Sequence, residues 1–287
     1  HHIILIGETH TNDQHHQVQF KIIKGLTEAG NSVCLALEMF TPQQNQILDD
    51  YISGKISEEV FLLQSNYFNT WGHNYRYYQP IFQYAREHKI KMYGINIKQE
   101  YAKKIGRGGI KSLSKEEKRS IPLIDTTNIE HCFFIKSAMQ GMDAFSPKQF
   151  KNIYEAQCLW DAAMGNGAIR TANENPESNV IVLAGSGHVA YNLGIGRIIK
   201  KRSNFSFTSI LAVDVADTVK ESIMMKVKKS VTAEASKDTT QSHQMPPGMM
   251  HGVDSTQPYQ IVIRSLADYL FGVKEEERER YPSFGFS

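Results

Sequence analysis

The fold is decided by the stretch Ile3-Ile4-Leu5-Ile6, which is followed directly by Gly7-Glu8-Thr9-His10. An apolar run without polar alternation predicts a short strand that is covered on both faces, as in a parallel sheet. The turn after it carries a carboxylate and an imidazole. The same pattern, an apolar strand followed by polar residues, recurs at residues 33–37 before Glu38, 90–93 before Asn96, and 180–183 before Gly185-Ser186-Gly187-His188.

Helical patterns separate these predicted strands. A helix is expected from about 12 to 29, a second opens at Pro80 and runs to 88, and a third spans roughly 147–163. Strands alternating with helices of this length predict an α/β fold with a mainly parallel sheet flanked by helices. We expect a single domain over 1–287, with a mainly helical subdomain formed by 42–80 and about 100–165 beside the sheet.

The overall composition excludes several classes of protein. A net charge of +2 over 287 residues, without a clustered basic surplus, argues against nucleic-acid binding. No apolar stretch has the length that a transmembrane helix needs. The three cysteines, Cys34, Cys132 and Cys158, lack metal-site spacing and are interpreted as buried thiols.

The region 228–258 differs from the rest of the chain. It is rich in Ser, Thr, Gln and Pro without an apolar period, so we expect an exposed insertion loop, followed by a strand at 260–264. Within it, 243–251 contains three methionines and two histidines, donors that suit copper(I) or haem iron. A chance grouping in an exposed loop is the favoured interpretation.

The polar residues after the strands form the main functional signal. Carboxyl ends of parallel strands meet at one edge of a sheet, where open α/β folds bind their ligands. Alternatively, the carboxylates cap the following helices and the histidines are ordinary loop residues. The number of polar groups at separate strand ends favours one shared crevice, built by Glu8, His10, Glu38, Asn96 and His188.

Two further groups near this edge have alternative interpretations. His15 and His16 begin the first helix, where adjacent histidines are expected to be exposed; alternatively, one of them leans toward His10. The segment 67–78 is exceptionally aromatic. We expect it to pack the helical subdomain onto the sheet, and the alternative is a wall for a flat aromatic ligand.

Taken in order, these motifs resemble the ChaN-like haem-binding lipoproteins of bacteria. The resemblance runs from about residue 3 to 200 and rests on Gly7-Glu8-Thr9-His10, His15-His16-x-x-Gln19, Leu37-Glu38-Met39-Phe40, the Tyr-rich stretch from Trp71 to Pro80, Gln157-x-x-Trp160-Asp161, and Ala184 to Tyr191 with Gly194-Ile195-Gly196-x-Ile198. The family pattern favours Tyr-Gly-x-Gly-Ile-Pro at the last motif. Here Asn192 replaces the first glycine and Gly196 replaces the proline.

The resemblance implies a function and a ligand set. It implies a haem-binding protein of iron acquisition, exported and anchored by lipid to the outer membrane, with a haem-bridged homodimer and an outer-membrane haem receptor as partners. Tyr191 would supply a phenolate ligand for ferric haem. His188 would be a second ligand or hydrogen-bond the phenolate, and Arg197 would meet a propionate.

The same signatures also resemble the wider erythromycin-esterase and Tiki superfamily, which includes hydrolases. In those proteins, glutamate and histidine residues at strand ends bind a divalent metal or act as general base. Glu8, His10, Glu38 and His188 match that pattern in type and order. Two carboxylates and two imidazoles suit a metal site with a position open for water. A metal-dependent hydrolase is therefore the alternative function.

Overall fold

The computed structural model describes residues 2–138, 145–215 and 265–274. Within these ranges the chain forms an α/β fold around a six-stranded, all-parallel sheet, which confirms the predicted fold class. The strands are β1 His2–Glu8, β2 Val33–Leu37, β3 Met92–Gly94, β4 Asn179–Gly185, β5 Ser206–Val215 and β6 Tyr269–Lys274. The first four overlap the predicted apolar runs, although β3 begins two residues later than the predicted run 90–93. The predicted loop at 228–258 and the predicted strand at 260–264 lie outside the described residues.

Alternate residues of the strands enter two separate cores, as apolar residues at every position require. Ile4 and Ile6 of β1 pack on one face with the aromatic residues of the segment 67–78, whereas Ile3 and Leu5 pack on the other face with the long helix of 147–174. Both faces of the central strands are therefore covered, so the sheet is a middle layer between helices.

Eleven α-helices surround the sheet in the part of the chain that the structure describes. Asn12 caps the first of them through the backbone N–H of Gln14, and Ser146 with Gln149 forms a capping box at the ninth. Their bounds are α1 Asp13–Glu28, α2 Asn45–Ser53, α3 Glu58–Gln64, α4 Tyr67–Thr70, α5 Gln79–Glu87, α6 Gln99–Gly108, α7 Lys115–Ser120, α8 Ile129–Ala138, α9 Pro147–Glu174, α10 Ser186–Val189 and α11 Ile195–Arg202. None of these helices is long and apolar enough to cross a membrane.

The order of the strands determines where along the sheet a ligand crevice forms. The sheet runs β3-β2-β4-β1-β5-β6, so β1 and β4 are neighbours at its centre. After β1 the chain passes through α1 to β2 on one side, and after β4 it passes through α10 and α11 to β5 on the other. Ligand crevices in open α/β sheets form where the chain leaves neighbouring strands in opposite directions. The turns that follow β1 and β4 carry Glu8, His10 and His188.

Helix α9 extends eleven residues beyond the predicted end near 163, to Glu174. The extension contains Gly165, where an added Cβ would lie 2.5 Å from Cβ of Ile198 on α11. This glycine allows α9 and α11 to pack closely.

We expect Gly165→Ala and Gly25→Ala to have opposite effects on stability. Both glycines lie inside helices, but an added Cβ at Gly25 meets nothing within 4 Å. Gly25→Ala should raise the free energy of unfolding by about 0.5–1 kcal/mol, because alanine loses less backbone entropy. Gly165→Ala should lower it by about 1–3 kcal/mol through overpacking against Ile198. Urea unfolding of both variants checks this, and stabilisation by Gly165→Ala would contradict the close packing.

Candidate functional site

The strand ends bring four of the predicted site residues together. We call this site the strand-end crevice; its members are Glu8, His10, Glu38 and His188. Nε2 of His188 lies 3.4 Å from Oε1 of Glu38, and Oε2 of Glu38 accepts from the backbone N–H of Gly185 at 2.6 Å. An added Cβ at Gly185 would lie 3.0 Å from Cε1 of His10, so the His10 ring covers this turn.

Asn96, the fifth predicted residue, supports the crevice from behind. Its side-chain amide donates to the backbone carbonyl of Glu38 at 2.8 Å, and its own oxygen accepts from the backbone N–H of Ile97. These bonds hold the end of β2 next to the end of β3. Asn96 therefore fixes the backbone position from which Glu38 enters the crevice.

Glu8 is the buried centre of the β1 turn. Its Oε1 accepts from the Tyr78 hydroxyl at 2.6 Å and lies 2.8 Å from Nδ1 of His10, while Nδ1 of His16 lies 2.8 Å from Oε2. Burial alone would raise the pKa of this carboxyl. The neighbouring imidazoles of His16 and His10 outweigh burial and hold the pKa of Glu8 well below its ordinary value.

His15 and His16 are buried, so the expectation that they are exposed is wrong. His16 lies between Glu8 and the backbone carbonyl of His10, with Nε2 3.2 Å from that oxygen. Nδ1 of His15 accepts from the backbone N–H of Thr9 at 3.0 Å, so Nε2 carries the proton and faces Asp214 at 3.4 Å. The first turn of α1 thus packs back over the β1 turn, and its imidazoles bond to the backbone N–H of Thr9 and the backbone carbonyl of His10.

His188 is held between two carboxylates. Its Nδ1 lies 2.7 Å from Oδ1 of Asp161 on α9, and Nε2 faces Glu38 on the opposite side of the ring. Burial opposes the charged form, but Glu38 and Asp161 raise the pKa of His188 to about 9. The two carboxylates therefore favour the imidazolium form of His188 at neutral pH, in which each nitrogen carries a proton.

Asp161 is a site residue that we did not nominate from the sequence. It is fully buried on α9, 27 positions before its partner His188. The sequence pointed to Asp161 only through the motif Gln157-x-x-Trp160-Asp161. Gln157 of that motif also lies near His188, with its Nε2 3.0 Å from Nδ1 of His188. Gly194 permits the approach, since an added Cβ there would lie 2.8 Å from Oδ1 of Asp161.

The aromatic segment 67–78 divides between the core and the strand-end crevice, and its role as a wall for a flat ligand stays a prediction. Tyr67, Tyr75 and Tyr78 are buried in the core on one face of the sheet, as the packing interpretation requires. Trp71 and His73 instead contact His10, with ring centroids 4.8 Å and 4.6 Å from it.

The pKa values of His10 and His73 shift in opposite directions. The hydrogen bond and charge of Glu8 and the charge of Glu38 raise the pKa of His10 against burial. For His73, burial and the charge of His10 lower the pKa to about 4.

Two cavities meet at the strand-end crevice, and His10, Gln99, Trp160 and His188 line both. The apolar cavity has a volume of about 730 Å³ and lies between the crevice and helices α6, α8 and α9. The polar cavity has a similar volume of about 730 Å³ and lies beside the aromatic segment. The apolar cavity is lined on its helical side by Ala102, Gly106, Phe134, Ile135, Ala138, Ile153 and Ala156.

Neither Tyr191 nor Arg197 lines the apolar cavity. The Tyr191 ring packs edge-on against Phe134 at 5.4 Å, and Phe134 in turn lines the cavity. The Arg197 guanidinium donates to Asp125 at 2.9 Å and to the carbonyl of Leu193 at 3.0 Å. Their predicted contacts with a ligand stay predictions, and each would need a side-chain movement toward the cavity.

The backbone at Tyr191 and Asn192 explains one departure from the family pattern. Both residues have positive φ, 57° and 55°, in the left-handed region that favours glycine. The second departure lies beside the first, since an added Cβ at Gly196 would lie 3.1 Å from Oδ1 of Asn192 and 2.9 Å from the Phe207 ring. The two replacements are therefore coupled in space: Asn192 occupies room that a side chain at 196 would need.

We expect a double-mutant cycle to show this coupling. Asn192→Gly should be neutral or stabilising, because glycine adopts positive φ without strain. Gly196→Pro should destabilise the wild-type background by about 1–3 kcal/mol through its contacts with Asn192 and Phe207. In the Asn192→Gly background the same change should cost less, since proline is tolerated in the first turn of α11. Thermal unfolding of the four proteins measures the coupling, and strict additivity would refute it.

The described residues contain no group of three or more His, Cys, Asp or Glu side chains placed to hold a metal ion. The predicted metal set is instead divided into pairs. Glu8 and His10 bond to each other, and His188 bonds to Asp161 and faces Glu38. The divalent metal therefore has no support from this geometry. The methionine- and histidine-rich stretch 243–251 lies outside the described residues.

Comparison with known proteins agrees with the arrangement of these motifs. A family model described as haem-binding uptake, Tiki superfamily, ChaN matches residues 1–199. Among solved structures, ChaN of Campylobacter jejuni, described with cofacially bound haem, is 21% identical, with a TM-score of 0.58 over 74% of this chain and 81% of that chain. A mutant of the erythromycin esterase EreC is 13% identical, with a TM-score of 0.45 over 76% of this chain and 71% of that one. No curated protein matches the chain significantly.

Proposed function

Because the chain belongs to the haem-binding uptake family of the Tiki superfamily, ChaN, we propose that it binds haem in the apolar cavity and takes part in haem or iron acquisition. The observation that carries the proposal is the position of this cavity. Its helical side is mainly apolar, with Gln99, Lys103 and Gln157 as its polar members, and its floor is the strand-end crevice with His10 and His188. An apolar slot with a few convergent polar groups suits a large, flat, mainly apolar ligand with a polar centre and polar edge.

The residues around the cavity fit such a ligand. Ala102, Gly106 and Ala156 leave room between the helices, while Phe134 and Trp160 offer aromatic surfaces for a flat macrocycle. A volume of about 730 Å³ lies within the range of cofactor sites, about 300–1,000 Å³. Haem, when bound, supplies an iron centre that accepts a nitrogen or phenolate ligand.

Tyr191 and His188 are the proposed ligand-side residues. Tyr191 supplies a phenolate, an anionic donor found on haem iron in other proteins. His188 has two roles open to it. As the imidazolium that Glu38 and Asp161 favour, it donates a hydrogen bond to an anion such as this phenolate. As an iron ligand it would first lose the proton on Nε2. We favour the donor role, because both nitrogens face carboxylates, and propose Arg197 for a propionate.

The proposed setting follows the family. We propose that the chain acts as an exported lipoprotein at the outer membrane, receives haem from a receptor there, and dimerises through haem. The cofacial haem described for Campylobacter ChaN supports the haem-bridged dimer. Sedimentation with and without hemin tests this part separately from binding.

A hemin titration followed by absorption tests the proposal. We expect a shifted, saturable Soret band, displaced in Tyr191→Phe and altered in His188→Ala. Tyr93→Phe is the matched control, because the Tyr93 hydroxyl bonds Asn175 at the end of α9, remote from the cavity. If the absorption spectrum is that of free hemin at every ratio of hemin to protein, the chain does not bind haem and the proposal is wrong. Identical spectra for wild type and Tyr191→Phe would remove Tyr191 as ligand but leave haem binding intact.

A second candidate is a hydrolase, favoured by one observation. His10 and His188 each pair with a carboxylate and both line the two cavities, which suits two residues that move protons in general acid–base catalysis. The metal-dependent form would use Glu8, His10, Glu38 and His188. Metal analysis of protein purified without chelators, with an ester and peptide substrate screen, tests it. Metal-free protein without turnover would exclude the metal-dependent form.

A further inference from the structure

Another buried imidazole lies behind His188, against the carboxylate of Asp161. His131 of α8 has no exposed surface, and its Nε2 lies 3.2 Å from Oδ2 of Asp161. The other oxygen of Asp161, Oδ1, accepts from Nδ1 of His188 at 2.7 Å. One carboxylate on α9 therefore connects an imidazole that faces the cavities with an imidazole that solvent does not reach.

The protons of this chain follow from simple hydrogen-bond chemistry. An ionised carboxylate only accepts, so Nε2 of His131 carries the proton that faces Asp161. Nδ1 of His131 is then an acceptor, and the thiol of Cys158, with Sγ at 3.9 Å, is the donor that faces it. The hydroxyl of Tyr154 lies 3.3 Å from the same nitrogen but donates its proton to the backbone carbonyl of Asn128 at 3.1 Å. The carboxylate that faces Nε2 at 3.2 Å therefore favours the Nε2–H tautomer of His131.

Because Asp161 is buried, the orientation of its carboxylate depends on the groups that face its two oxygens. A carboxylate without exposed surface is costly to bury unless both oxygens are compensated. His188 holds Oδ1, whereas Oδ2 has no hydrogen-bond partner among the described residues. His131 lies within ion-pair distance of Oδ2, with Nε2 at 3.2 Å. Without His131, Asp161 could turn Oδ2 toward other donors and release the geometry at Oδ1.

We infer that His131 is a positioning residue of the strand-end crevice, which acts on His188 through Asp161. It keeps the carboxylate oriented so that Nδ1 of His188 is bound and Nε2 points toward Glu38 and the cavities. His131 does not line either cavity, so it touches no ligand there. The inference goes beyond haem binding, because it concerns the ligand-free protein and holds whatever the occupant is.

Imidazole nitrogen NMR of the ligand-free protein at fixed neutral pH tests the inference. Long-range ¹H–¹⁵N spectra of the wild type should show His131 as the Nε2–H tautomer and a strongly deshielded, slowly exchanging proton on Nδ1 of His188. His188→Gln and His131→Gln assign the signals. In His131→Leu the His188 Nδ1 proton signal should be lost, as in Asp161→Asn. In His131→Gln it should persist, because the glutamine amide keeps a donor for Asp161. Removal of the exposed imidazole in His88→Leu should change nothing.

Three results would overturn the inference. The first is a His131 side chain protonated on Nδ1 in the wild type. The second is an unchanged His188 Nδ1 proton signal in folded His131→Leu. The third is an equal loss of that signal in His131→Gln and His131→Leu. The wild-type spectrum decides the first point even if His131→Leu fails to fold. Hemin is absent from these measurements, so a failure of haem binding would leave this test unaffected.

Discussion

Glu8→Ala should lower the free energy of unfolding by about 3–5 kcal/mol, the cost of removing one partner from a buried ionic cluster. The substitution leaves the buried Tyr78 hydroxyl without its acceptor at 2.6 Å. It also removes the carboxylate that lies 2.8 Å from both His10 and His16. The effect is large because Glu8 is itself buried, so water does not replace the lost contacts. Urea unfolding measures it.

Two controls separate charge from shape in that result. Glu28→Ala, at the exposed end of α1, should change stability by no more than about 0.5 kcal/mol. Glu8→Gln keeps one acceptor oxygen for Tyr78 and loses the charge together with the second oxygen, which faces His16. The pKa of Glu8 is lowered in the folded protein, so its contribution is complete above the ordinary value of 4.5 and is lost as pH falls below it. Wild type should therefore lose more stability than Glu8→Gln on acidification, and parallel pH profiles would contradict the assigned charge.

Gly106→Phe should weaken hemin binding at least tenfold, roughly 1.4 kcal/mol or more in binding free energy. Gly106 lies on α6, lines the apolar cavity, and an added Cβ there meets nothing within 4 Å. The phenyl ring therefore enters the open space that the proposal assigns to haem, without displacing the core. Competition between side chain and ligand for the same volume is the source of the effect.

The chain offers a matched control for this blocking variant. Gly25 also lies inside a helix with open space around an added Cβ, but on α1 and outside the residues that line the cavities. Gly25→Phe should leave hemin affinity within twofold of the wild type. If Gly106→Phe binds hemin as tightly as Gly25→Phe does, haem does not occupy the apolar cavity.

The strand-end crevice was predictable because it depends on the order of residues along the chain. Apolar runs without alternation identify parallel strands, and parallel strands bring Glu8, Glu38 and His188 to one edge whatever the helices do. Strand β5 was missed because Ser206–Val215 mixes polar and apolar residues, as suits a strand with partly exposed faces. Its place in the sheet depends on pairing with β1, which a local pattern does not encode.

The partners of the crevice residues were less predictable, for a physical reason. Whether His16 is buried depends on the carboxylate of Glu8, which lies on a different element and compensates the imidazole. Asp161 meets His188 only because α9 crosses the strand ends at one particular rotation. Such contacts are set by packing between elements, whereas sequence spacing describes a single element. The motif that contains Gln157, Trp160 and Asp161 indicated the family, but it did not predict which residue Asp161 contacts.

Binding of haem in the apolar cavity is tested most directly by tryptophan fluorescence during a hemin titration. The chain has two tryptophans, and Trp160 lines both cavities, so Trp71→Phe leaves a single reporter at the site. We expect Trp160 emission to be quenched in parallel with the growth of a shifted Soret band, both saturating at the same hemin ratio. N-acetyltryptophanamide corrects for absorption by free hemin. Unshifted hemin absorption, or a shifted band with unquenched Trp160, would contradict haem binding at this site.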